Sequence, residues 1–141
     1  MFRKIDDTIL VSPQIGPDDL AEAAQLGVVT VINNRPEDEE PGQPSGDTIA
    51  AAADAAGLAY TAIPVTHAGF SHPQVDAMVQ ALEQADGPVL AYCRSGTRST
   101  FLWALARAKM GDHPAVLVEK AANAGYDLTS IRPMLDALAR Q

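Results

Sequence analysis

Apolar and polar positions fall into two alternating kinds of block. Short aliphatic or β-branched runs predict buried strands, and longer stretches with apolar residues three and four apart predict helices. Residues 4–14 read as a strand pair around Ile9, Leu10 and Val11, with Asp6 and Asp7 before and Ser12 and Pro13 after. A helix follows from Gly16, with Pro17, Asp18 and Asp19 in its first turn and Leu20, Ala23, Ala24 and Leu26 on one face. Gly27 stops it. Residues 28–32 are β-branched and read as a buried strand. Residues 33–47 read as a solvated loop, 48–56 as a helix ended by Gly57, and 59–65 as a strand. A loop at 66–72 leads into a helix at 73–85 carrying Val75, Met78, Val79 and Leu82 on one side. Residues 89–92 form another buried strand, which runs directly into Cys93, and 99–110 form a helix. From Pro114 onward the spacing is helical, and only the short run Val116, Leu117 and Val118 also fits a strand.

Strands alternating with helices predict an α/β fold with a central, mostly parallel sheet flanked by helices. In such folds the site lies beyond the carboxyl ends of the strands. The 141 residues suit a single catalytic domain over 1–141. Apolar residues at 47% and charged residues at 20% are ordinary for a globular protein. The formal net charge of −8 argues against nucleic acid or an anionic membrane as main partner, and makes a local cluster of arginines more informative. No run has the length of a membrane span, and the first seven residues lack the apolar core of a signal peptide. With a single cysteine no intrachain disulfide forms, so a reducing, cytoplasmic setting is expected.

That cysteine sits in the segment Tyr92-Cys93-Arg94-Ser95-Gly96-Thr97-Arg98-Ser99, where a buried strand ends, a short loop turns and a helix begins. Such a loop aims backbone N–H groups at one spot, and the helix N-terminus adds partial positive charge. Gly96 permits the positive φ that this curvature needs. Amides, dipole and guanidinium groups all favour thiolate over thiol at Cys93. Arg98 closes the ring and can hold an oxyanion through two parallel hydrogen bonds. Ser99 is expected to donate to the sulfur when it leaves. Arg94 is either a further anion ligand, with Ser95, Gly96 and Thr97, or a solvated arginine.

The loop resembles the active loop of rhodanese-type sulfurtransferases, including Tyr92 before the cysteine. It also resembles the phosphate loop of protein tyrosine and dual-specificity phosphatases, which usually places five residues between cysteine and arginine and a histidine before the cysteine. Here four residues intervene. The stretch Thr30-Val-Ile-Asn-Asn-Arg-Pro36 and the helical tail resemble the phosphatase scaffold. Taken with Leu10-Val-Ser-Pro-Gln14 and Pro64-Val65, the whole is most similar to the phosphatase-like domains of the beta-lactamase-hydrolase-like proteins, often catalogued as sulfur transferases. In some relatives this domain is fused to a metallo-hydrolase domain.

The resemblance implies a cysteine nucleophile on a dual-specificity-phosphatase fold with no cofactor. A phosphatase of that scaffold carries a general acid, usually Asp, on the loop after the strand ending near Val65. Residues 66–72 hold no carboxylate, and Asp76 lies too far into the next helix. His67 is the remaining candidate acid, by its reference pKa. Sulfane-sulfur transfer needs no such acid, so the sequence ranks sulfurtransferase first, with a small-molecule sulfur donor and a thiol acceptor. A phosphatase acting on a phosphorylated substrate ranks second, and a non-catalytic anion-binding module third. Arg35, with Asn33 and Asn34, follows a buried strand and is either pocket-lining or an ordinary loop residue. Glu37, Asp38, Glu39 and Glu40 read as a solvated face. His67, His72 and His113 make no zinc pattern with Cys93.

Overall fold

The computed structural model describes residues 1–140. It contains β1 (Arg3–Asp6), β2 (Ile9–Ser12), α1 (Asp19–Gln25), β3 (Thr30–Asn33), α2 (Gly46–Ala55) and β4 (Ala59–Ala62). These are followed by α3 (His72–Gln84), β5 (Val89–Tyr92), α4 (Thr97–Lys109), α5 (Pro114–Asn123), a 3-10 turn (Thr129–Ile131) and α6 (Arg132–Ala139). The strand order is β1-β2-β5-β3-β4. Among the described residues, only β1 runs antiparallel to its neighbour; the remaining pairings are parallel, in the register Ile9–Val89–Thr30 and Thr30–Ala59.

Side chains alternate across the middle strand, as a period of two demands. Val89 and Ala91 enter the core that holds Met78, Leu102, Leu105, Leu117 and Leu135, on the face covered by α3 to α6. Leu90 and Tyr92 enter the other core, with Leu20, Ala23, Ile49 and Ala53 of α1 and α2. Both faces are covered, which is why the strands read as near-continuous apolar runs.

The expected elements are present with small shifts of boundary. β4 is shorter than expected, ending at Ala62, but the pairing continues through Ile63 N–H to Asn33 O and Val65 N–H to Asn34 O, both 2.9 Å. The run Val116–Val118 is helical. Pro114 sits at the start of α5, the His113 side chain accepts from the Ala115 amide, and Leu117 is buried while Val116 faces outward. The 66–72 loop is closed by a capping box, in which Ser71 accepts from Gln74 N–H and Gln74 Oε1 accepts from Ser71 N–H. Among the described residues, no helix is long and apolar enough to cross a membrane.

Candidate active site

Cys93 follows the last residue of the central strand and is fully buried. Gly96, at φ +92°, turns the chain back so that its N–H points at the sulfur, 3.1 Å away. An L side chain rarely tolerates that φ, and a Cβ there would stand 2.2 Å from the Tyr126 hydroxyl. Gly96→Ala is therefore expected to cost about 1–3 kcal/mol of stability and on the order of 10²-fold in activity. Urea denaturation and steady-state turnover check both; wild-type values in each would show that the loop does not depend on this turn.

The Arg98 guanidinium is fixed by three contacts. Nη1 donates to Glu39 Oε2 and to Val65 O, both at 2.7 Å, and Nη2 donates to Glu39 Oε1 at 2.8 Å. These use both Nη1 hydrogens and one on Nη2, which leaves the Nε–Nη2 edge for an anion. The Glu39 hydrogen bond holds Arg98 above its ordinary pKa against the opposing effect of burial, helped by the charges of Cys93 and Glu39. Because the sulfur is covered, an incoming group must displace atoms above it.

Glu39 is one residue that sequence reading missed. The acidic run is not simply a solvated face: the Glu39 side chain is only 16% exposed and bridges Arg98 and Arg35. Its turn is clamped by Gln43, whose Oε1 accepts from Glu39 N–H and whose Nε2 donates to Pro36 O. Glu37 Oε1 accepts from Gly46 N–H at the start of α2. The hydrogen bond from Arg98, with help from Arg35 and against burial, holds the Glu39 carboxyl down at about 2. Its stabilising contribution is therefore present above its ordinary value of 4.5 and is lost as pH falls through about 2. Glu39→Gln removes one acceptor and places an NH₂ against a guanidinium. The stability gap between wild type and this variant should be widest near neutral pH and close between about pH 5 and 2 in urea titrations; a pH-independent gap would contradict the ion pair.

Arg35, expected to be either pocket-lining or an ordinary loop residue, is a buried hub. Its side chain is 1% exposed and donates to Glu39 through Nε, to Gln14 through Nη1 and to Glu40 through Nη2. Asn33 and Asn34 are buried too. Asn33 Oδ1 accepts from Arg35 N–H, and Asn34 Nδ2 donates to Ile63 O. The expected bond from Ser99 to the sulfur is replaced. The Ser99 hydroxyl donates to Asn34 Oδ1 at 2.8 Å, so its one hydrogen is already used. Arg94 is 65% exposed and lies 3.6 Å from Glu40, as a rim residue would. Ser95 and Thr97 bond each other, through their hydroxyls at 3.0 Å and from Thr97 N–H to Ser95 Oγ at 3.3 Å. His67 lies exposed on the 66–69 turn, and Asp76 pairs with Lys109 on α4. Burial raises the Tyr92 phenol pKa, with Tyr60 and Glu37 adding to the effect, and its side chain belongs to the α1–α2 core.

Segments following β2, β3, β4 and β5 thus meet at one edge of the sheet, through Gln14, Arg35, Val65 and Cys93. A buried cysteine at a strand-loop-helix turn, facing a clamped arginine, defines an enzyme on a cysteine-phosphatase-like scaffold. Comparison with known proteins agrees. Residues 1–110 match the family model described as beta-lactamase hydrolase-like protein, phosphatase-like domain, and the chain belongs to that family. The beta-lactamase hydrolase-like protein of Xylella fastidiosa is 37% identical over 125 residues, covering 88% of this chain and 29% of that relative. The chain therefore spans less than a third of the length of that curated relative. A candidate phosphatase from Neisseria meningitidis superposes with a TM-score of 0.83 at 37% identity, covering 96% of both chains. TpbA of P. aeruginosa, solved with phosphotyrosine, shares the fold at a TM-score of 0.67 and 19% identity, covering 99% of this chain and 88% of that one.

Proposed function

We propose that this domain is a cysteine-dependent phosphatase for esters whose leaving group departs as a stable anion, aryl esters before alkyl ones. The observation that carries this reading is the Cys93 sulfur, held by Gly96 N–H, beside an arginine whose Nε–Nη2 edge is left for equatorial oxygens. The phosphatase-like description of the matching family and the phosphatase description of the Neisseria meningitidis structure support it and move it ahead of sulfur transfer, which the sequence ranked first. In the first step Cys93 thiolate attacks phosphorus. The S–P bond forms as the ester P–O bond breaks, and the leaving oxygen takes the electron pair. Arg98 and loop amides stabilise the equatorial charge. Water then attacks phosphorus, the S–P bond breaks, and thiolate and inorganic phosphate are released.

No carboxylate stands on the 66–72 loop, and general acid help is worth about 10²–10⁴ in rate for poor leaving groups. Turnover of p-nitrophenyl phosphate should therefore far exceed that of glycerol phosphate, and both should vanish in Cys93→Ser. Absence of Cys93-dependent release from either ester would reject the reading.

The four-residue spacing, with that missing acid, favours a second reading, sulfur transfer. Cys93 thiolate would attack the outer sulfur of thiosulfate, forming an S–S bond as sulfite leaves with the electron pair. With one cysteine in the chain, an external thiol or cyanide must accept the sulfur. Mass spectrometry after thiosulfate treatment reads this directly: one added sulfur on Cys93 supports it, and an unmodified chain with thiosulfate and glutathione persulfide rejects it.

A further inference from the structure

Tyr126 lies beyond the residues matched to the family, between α5 and the 3-10 turn, yet it reaches the cysteine loop. It is 9% exposed and packed in the α3–α6 core. The Arg3 guanidinium carbon lies 5.4 Å from its ring centroid, and Arg3 Nη1 donates to Ala124 O at 3.1 Å, tying β1 to the segment that presents the ring. The Tyr126 hydroxyl donates to Ser95 O at 3.3 Å and fills the space beside Gly96 that a Cβ would need.

The oxygen that Tyr126 holds and the N–H that faces the sulfur belong to one peptide unit. Ser95 C=O accepts from Tyr126, and Gly96 N–H donates to Cys93 Sγ. A peptide is planar and its trans C=O and N–H point in opposite directions, so fixing one end aims the other. A hydrogen bond accepted by the carbonyl also polarises the N–H and strengthens its donation. We propose that Tyr126 is a positioning residue for Cys93, holding the 95–96 peptide so that its N–H stabilises the thiolate. This rests on Cys93 being the nucleophile and is independent of which anion it attacks. Burial raises the Tyr126 pKa, the Arg3 charge opposes this and the Cys93 charge adds to it, so the hydroxyl remains a donor at neutral pH.

The test is the thiolate ultraviolet absorbance of the full chain, taken as the difference from Cys93→Ser, which isolates the one cysteine. Tyr126→Phe keeps the ring and removes the donor. Its thiolate signal at about pH 6 should fall about threefold relative to wild type, and at about pH 9 it should match. Circular dichroism melts serve as the control for folding. Should the melt of Tyr126→Phe show partial unfolding, the same comparison is made on Arg3→Gln, which loosens the ring from outside the loop and should lower the signal at pH 6 in the same sense. An unchanged signal at both pH values in a folded variant overturns the proposal, as does an equal loss at both. A wild type with no thiolate signal at pH 6 would instead count against Cys93 as an activated nucleophile. The two failures are thereby distinct.

Discussion

Cys93→Ser is expected to reduce turnover on the order of 10⁴-fold or more, to background, while the chain stays folded. Serine is close in size and its hydroxyl can accept from Gly96 N–H as the sulfur does. What it lacks is ionisation near neutral pH, and an un-ionised hydroxyl without an adjacent base is a poor nucleophile. Neither His67, exposed on its turn, nor Glu39, held at about 2 by Arg98 and Arg35, is arranged to supply that base. Stability should change by no more than about 1–2 kcal/mol, because the neighbouring amide keeps an acceptor. Steady-state rates with an aryl phosphate, together with a urea titration, settle the point. Residual activity near wild type in a folded variant would remove Cys93 from the chemistry. Retained sulfate binding alongside lost turnover would separate the site's anion affinity from its catalysis.

Arg98→Lys is the second large effect, expected despite the conserved charge. Lysine offers three donors from one nitrogen, whereas Arg98 meets Glu39 with two nitrogens, bonds Val65 O and still keeps a free edge. A lysine that satisfied the carboxylate would have no planar pair of donors for a substrate. The expected loss is about 2–4 kcal/mol of transition-state stabilisation, by comparison with other lost oxyanion donors. It should fall mainly in kcat, since the oxygens carry most charge during transfer. A loss in kcat/KM of less than about tenfold would place Arg98 outside the reacting group.

Much of the scaffold was legible from the chain alone because its signals are local. β5 was marked by a four-residue apolar run leading directly into Cys93, and Gly27 and Gly57 marked helix ends where φ is indeed positive. The cysteine loop was legible because strand, glycine, arginine and helix start fall within a few residues. The environment of Arg98 was not legible, because Glu39 stands 59 residues earlier in the chain. A run of four acids reads as a solvated surface unless it is placed at the same sheet edge as three arginines. The acidic run follows β3, whose carboxyl end points to that edge, and this was the available signal. Ser99 was assigned to the sulfur because nearness in sequence suggested it. Burial decided otherwise: the enclosed Asn34 Oδ1 needed a donor, and an unpaired buried acceptor is costly. Tyr126 had no comparable signal, since nothing local marks a tyrosine that crosses 31 residues to reach Ser95.

The middle position of β5 has a consequence for how the protein fails. The strand has a parallel neighbour on each side and a packed core on each face, so its amides should be among the slowest to exchange with solvent deuterium. Cys93, the proposed nucleophile, is the next residue in the chain. Fraying of α6 or of the exposed 66–69 turn can proceed without slackening that anchor. Deuterium uptake should therefore rise first in those outer segments while Cys93 stays aligned. Chemistry should persist to the point where the middle of the sheet itself opens, so inactivation and global melting should share one midpoint.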